Sequence, residues 1–188
     1  MRLTTVMRLA AGSATDAGAP DAAARSELAA LAEPVGLDGW TAEQVWVDDA
    51  EMARLNGLYR GKPEPTDVLS FGNLVAGGDG PPAVRAGEGH AACDLWWDGV
   101  GGGETGEPGD AGAIVIAPGF VRRRCERHGW DVAAEFALLT VHGALHLLGW
   151  DHESPPEAAA MRARETELLA RRGWPHPLAG KETDDGGR

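Results

Sequence analysis

Residues 131–152 read Asp131-Val-Ala-Ala-Glu-Phe-Ala-Leu-Leu-Thr-Val-His142-Gly-Ala-Leu-His146-Leu-Leu-Gly149-Trp-Asp-His152, a capped helix running straight into a turn. Asp131 is a residue type that accepts the free N–H groups of a first helical turn. Val132, Phe136, Leu139 and Leu145 give the helix its apolar side. His142 and His146 are four residues apart, so their rings lie one turn above each other on one face. Gly149 supplies positive φ where the helix must end, and the reversal carries His152 back toward the pair. Half of the chain's six histidines thus meet in one short stretch. Three neutral imidazoles leave Zn²⁺ its full charge and a fourth position for water, the arrangement of catalytic rather than structural zinc. The expectation is one Zn²⁺ per chain, held by His142, His146 and His152.

The pattern matches the long zincin signature His-Glu-x-x-His-x-x-Gly-x-x-His at every fixed position except one. Gly143 replaces the glutamate. In a zinc protease that glutamate takes a proton from water and passes it to the leaving amine, so its loss argues against peptide hydrolysis.

Working outward, the chain alternates strand and helix patterns. Leu3 to Leu9 reads as a first strand and Asp21 to Ala32 as a helix with Leu28 and Leu31 on its buried side. Gln44-Val-Trp-Val-Asp48 is strand-like. Asp48-Asp-Ala-Glu51 then has capping-box spacing and opens a short helix ending near Gly57. Thr66 to Phe71 and Ala113 to Ala117 are further strands, and the second is apolar throughout and therefore central. Pro118 suits the first turn of a helix that stops at Gly129. Ser154-Pro-Pro-Glu157 starts the last helix, which ends at Gly173. The order implies an α+β fold: a small mixed four-stranded sheet with helices around a central, zincin-like metal-binding helix.

At 188 residues with 43% apolar content and seven tryptophans, the chain suits one domain with a real core, taken as 1–173. The polar residues 174–188 read as a disordered tail. Between Asn73 and Asp110 lie seven acidic residues against one arginine, which is −6 of the total charge of −12. This Gly-rich segment also carries Pro81-Pro82, and it reads as a tolerated surface insert between two strands, with Cys93-Asp-Leu-Trp-Trp97 as a short strand. The overall charge runs against nucleic-acid binding, which rests on cations neutralising phosphates, but its concentration in the insert softens the objection. No run approaches the length of a membrane span. Arg8 interrupts the apolar stretch at the N-terminus, so the expectation is a cytoplasmic protein without a leader. Cys93 and Cys125 read as free thiols. His90-x-x-Cys93 has no partner pair nearby and reads as chance. Arg122, Arg123, Arg124 and Arg127 share the helix before the metal helix, where they either meet phosphates or form an ordinary solvated face.

The segment His142-Gly-Ala-Leu-His-Leu-Leu-Gly-Trp-Asp-His152 closely resembles the signature of the YbeY endoribonucleases, His-Gly-x-Leu-His-Leu-x-Gly-Tyr-Asp-His. Leu55-Asn-Gly-Leu-Tyr-Arg-Gly-Lys62 followed by Thr66-Asp-Val-Leu-Ser-Phe71 resembles a second block of that family. Together the likeness covers roughly residues 40 to 172 outside the insert. Three departures stand out: Gly72 replaces a proline, Ala113 an aspartate and Trp150 a tyrosine. The resemblance implies a zinc-dependent endoribonuclease that cuts single-stranded RNA in small-subunit rRNA maturation and ribosome quality control. Its partners would be rRNA precursors and the ribosomal small subunit. It also implies that Arg60 sits beside the metal, where a guanidinium suits a phosphodiester and the charge of its transition state, with Lys62 assisting. His142 and His146 serve as ligands in the catalytic centre. Asp151 either orients an imidazole or accepts a proton there, or else caps the turn. Spacing alone supports only a zinc hydrolase. A peptidase-like hydrolase and a zinc-stabilised ribosome-assembly factor without turnover are the alternatives.

Overall fold

The apolar run that ends at Ala117 places the centre of the sheet. The computed structural model describes residues 1–8, 18–35, 40–72, 74–75, 83–84 and 110–177. In chain order these form β1 (Arg2–Arg8), α1 (Ala22–Ala30), β2 (Thr41–Val47), α2 (Asp49–Arg60), β3 (Val68–Gly72), β4 (Leu74–Val75), β5 (Ala83–Val84), β6 (Asp110–Ile116), α3 (Pro118–His128), α4 (Val132–Leu147) and α5 (Pro155–Ala170), with a short 3₁₀ turn at Glu33–Val35. The main sheet has the order β1-β2-β6-β3. β1, β2 and β6 run parallel and β3 runs antiparallel to β6. This is the mixed four-stranded α+β arrangement that the sequence implies.

A strand flanked on both sides and covered on both faces has no polar side, which is why β6 is apolar from Ala111 onward. Ile114 and Ile116 join the larger core with Trp46, Phe136, Leu138, Leu145 and Met161. Ala113, Val115 and Ala117 join a smaller one with Val45, Met52, Leu55 and Leu69. The sheet therefore has α4 on one face and α2 on the other. α4 rests on β3 and β6, with α1, α3 and α5 packed around it. Its predicted cap is present: Asp131 accepts the Ala134 N–H at 2.7 Å. Ser154 and Glu157 likewise form the full capping box of α5.

Gly112 marks a bulge at the start of β6. Between Thr41↔Asp110 and Glu43↔Ala113 the register of β2 and β6 shifts, leaving an extra residue on β6. Gly112 has φ 118°, and a Cβ there would overlap the Phe71 carbonyl oxygen. The bulge turns Ala113 into the smaller core.

Two expectations need correction. The helix expected to stop near Gly57 continues through it to Arg60 and ends at Gly61, left-handed at φ 69°. Gly57 answers a packing need instead, since a Cβ there would lie 3.2 Å from Pro63. The arginines of α3 are engaged rather than presented as a phosphate-binding face. Arg124 pairs with both Asp67 and the fully buried Glu135, Arg123 pairs with Asp49, and Arg122 donates to the Gly18 carbonyl. Arg127 donates to the Arg123 carbonyl. Replacing Arg124 by methionine removes the counter-charge that two buried carboxylates share. The expected loss is about 3–5 kcal/mol of unfolding free energy, read from urea melts. A loss below about 1 kcal/mol would mean that the cluster contributes only surface-grade pairing.

Cys125 is a buried free thiol whose pKa is pushed up by burial. Cys93, the Cys93–Trp97 strand and the His90-x-x-Cys93 pair lie outside the described residues. Of the 73–110 insert the structure describes Asp110 and an antiparallel β4–β5 pair. No helix among the described residues is long and apolar enough to cross a membrane.

Candidate metal centre

His142 and His146 come from the last two turns of α4, and Gly149, at φ 83°, reverses the chain after it. The Gly149 N–H bonds the His146 carbonyl and the Trp150 N–H bonds the Leu145 carbonyl, closing the helix end. His152 follows two residues later, its backbone N–H held at 2.7 Å by Asp151 Oδ1. One ligand atom from each of the three rings lies within 4.8 Å of the others. Ring centroids are 4.6 Å apart for His142 and His146, 5.0 Å for His146 and His152, and 5.4 Å for His142 and His152.

The hydrogen bonds fix the tautomers of two rings. His142 Nδ1 lies 2.7 Å from Glu165 Oε1, and His146 Nδ1 lies 2.9 Å from the Trp150 carbonyl oxygen. Both partners only accept, so both Nδ1 atoms carry the proton and both Nε2 atoms, in the neutral rings, present a lone pair. Those two Nε2 atoms face each other at 3.1 Å. Facing lone pairs repel unless a cation lies between them, and two nitrogens each about 2.0–2.1 Å from a tetrahedral zinc are ~3.3 Å apart. The donor set therefore fits a divalent ion. Burial, followed by the charges of His142 and His152, lowers the His146 pKa to about 4, which keeps that ring neutral at ordinary pH.

Gly143, between the two α4 histidines, is pressed against the sheet. A Cβ there would lie 2.5 Å from Ile114 Cγ2 and 3.1 Å from Ser70 Oγ. The position that holds glutamate in the zincin signature points into the core here, where even a Cβ would have to displace Ile114 and Ser70.

Sequence reasoning missed Glu165 and His176. Glu165 is 6% exposed on α5, and its second oxygen lies 3.3 Å from Nε2 of His176, itself 7% exposed. Burial raises the Glu165 pKa, but the hydrogen bonds from His142 and His176 outweigh it and leave the pKa at about 2. The readable signal was a charged residue on the same stripe as Met161, Leu168 and Leu169, all buried. His176 lay in the segment read as disordered tail. The described body instead runs to residue 177, with His176 buried. Beside His152, a groove of about 660 Å³ opens along α5, lined by Ser154, Ala158, Arg162 and Thr166 among others.

Residues 22–173 match the family described as Endoribonuclease YbeY. The chain belongs to the YbeY family. The Endoribonuclease YbeY of Laribacter hongkongensis is 43% identical over 133 residues, which cover 71% of this chain and 65% of that one. The match thus spans just under two thirds of that relative. The Endoribonuclease YbeY of Chloroflexus aurantiacus is 36% identical over 176 residues, covering 93% of this chain and 99% of its own. That of Bradyrhizobium sp. is 37% identical over 169 residues, covering 89% and 86%.

The three departures from the YbeY pattern fall at different distances from the histidines. Ala113 is 2% exposed within the smaller apolar core, where a carboxylate would be buried among Val45, Met52 and Leu69. Gly72 closes β3 at an exposed position. Trp150 touches the centre through its backbone carbonyl, a role indifferent to which aromatic stands there. Arg60 is exposed in the last turn of α2, and among the described residues it makes no hydrogen bond or ion pair and no bond joins it to the triad. Neighbouring Tyr59 packs edge-on against Phe71 at 4.9 Å, tying this end of α2 to β3. Asp151 is exposed and holds the turn through His152 N–H.

Proposed function

We propose that the chain is a zinc-dependent endoribonuclease specific for single-stranded RNA. It would act on small-subunit rRNA precursors and in ribosome quality control, in the cytoplasm. The observation that carries this reading is the pair of Nε2 lone pairs facing each other at 3.1 Å beside a third imidazole. Membership of a family described as endoribonuclease supplies the reaction class.

His142, His146 and His152 hold one Zn²⁺ and spend all three protein positions on neutral nitrogen. When bound, the ion supplies Lewis acidity, which makes water a competent nucleophile near neutral pH and withdraws charge from a phosphoryl oxygen. Arg60 contributes a fixed positive charge of bidentate geometry, suited to a phosphodiester and to the extra negative charge of its transition state. Its lack of any partner among the described residues leaves the guanidinium available for that contact. Asp151 keeps the turn that delivers His152 by accepting its backbone N–H, and in this reading its carboxylate orients that imidazole or accepts a proton. The packing at Gly143 speaks against the peptidase alternative, because the general base of that chemistry has no space.

Metal analysis combined with cleavage of paired and unpaired RNA tests this reading. The wild-type protein should carry one zinc per chain and cut only the unpaired RNA. Arg60→Ala should keep its zinc and its fold while cutting about a hundredfold more slowly, the scale of losing one charge-stabilising donor. If highly purified, zinc-containing protein never cuts RNA at varied salt and pH, the nuclease reading goes.

A further inference from the structure

We infer that Glu165 is a positioning residue of the metal centre, and that the C-terminal segment carrying His176 belongs to the same apparatus. The inference rests on the metal reading above and adds residues from outside the His142–His152 motif. A ring such as His142 can protonate either nitrogen and can flip, so its usefulness as a ligand depends on what its other nitrogen bonds. Here Oε1 of Glu165 lies 2.7 Å from His142 Nδ1. A carboxylate at that atom admits only the tautomer that leaves Nε2 bare, on the side where His146 Nε2 lies 3.1 Å away. The same carboxylate raises the electron density of the ring and so its donor strength.

Glu165 is itself held. It is 6% exposed, and its Oε2 lies 3.3 Å from Nε2 of His176, which is 7% exposed. A buried carboxylate with one oxygen unbonded would swing toward solvent or recruit water. His176 occupies that second oxygen and pins the carboxylate plane toward His142. The relay runs from a residue beyond the last helix, through α5, to a ligand on α4. Metal loading should therefore register events at the C-terminal segment.

Zinc affinity, measured by competition with a chromogenic chelator, separates this role from a purely structural one. Glu165→Gln keeps shape and volume but gives up the charge, and it should weaken zinc binding about 10–100-fold in protein that still folds without metal. In the metal-free wild-type protein, ¹⁵N NMR should show His142 protonated at Nδ1 and bare at Nε2, and the variant should show a tautomer mixture. Unchanged zinc affinity in folded Glu165→Gln overturns the proposal. Should Glu165→Gln fail to fold, His176→Ala decides, because it leaves the carboxylate in place. A zinc affinity weakened by about threefold or more supports the relay, and an unchanged one overturns it. Failure of the wild-type protein to bind zinc at all would instead sink the metal reading itself.

Discussion

His142→Ala should purify folded, retain no stoichiometric zinc and cleave unpaired RNA about a thousandfold more slowly than the parent chain, a barrier increase of roughly 4 kcal/mol. Two separate losses combine in this variant. The ion keeps two imidazoles, one of them on a turn, and the Nε2 pair that defines the site disappears. The fold survives because His142 is only partly buried and the apolar stripe of α4 is untouched. One cost remains in the metal-free protein, since Glu165 Oε1 loses its bond to His142 and should lower stability by about 1–2 kcal/mol. Elemental analysis, a urea melt and initial cleavage rates check the three parts. A His142→Ala protein that cuts RNA at the parental rate would show that the cleavage does not pass through this centre.

Gly143→Glu carries the second large effect. Restoring the zincin glutamate should yield neither a peptidase nor a stable protein. The cost can be ordered by size. Gly143→Ala gains about 1 kcal/mol of helix propensity but must push Ile114 and Ser70 aside, for which overpacking charges about 1–3 kcal/mol, so the net loss is small to moderate. Glutamate meets the same obstruction with four more heavy atoms beyond Cβ and ends in a carboxylate facing an apolar sheet. A loss above about 4 kcal/mol is expected, visible as insoluble expression or a collapsed melting transition. A Gly143→Glu protein as stable as its parent would mean that α4 does not sit on Ile114 and Ser70 as described.

Much of this molecule is written in local pattern. The caps at Asp131 and Ser154, the glycine stops at Gly129, Gly149 and Gly173, and the continuous apolar run of β6 depend on near neighbours, and each forms where the pattern puts it. The histidine triad was legible for the same reason, because helical spacing and one turn bring the rings together. What escaped was set by contacts between distant segments. Gly57 looks like a helix stop until Pro63 is seen against it. The α3 arginines leave phosphate contact and a solvated face equally open until Asp67, Glu135 and Asp49 arrive from elsewhere in the chain. Glu165 meets His142 across a separation of 23 residues and His176 meets Glu165 across 11, and no periodicity reports such meetings. Arg60 was picked out by family likeness, which says nothing of where its guanidinium lies relative to the triad.

The seating of α4 on β3 and β6 also bears on descent. With this seating the chain has no single-substitution route to the zincin acid, because that side chain can be accommodated only after the backbone has lifted from Ile114 and Ser70. The width of the gap between one helix and the strands beneath it thus sets which side chains this motif can carry.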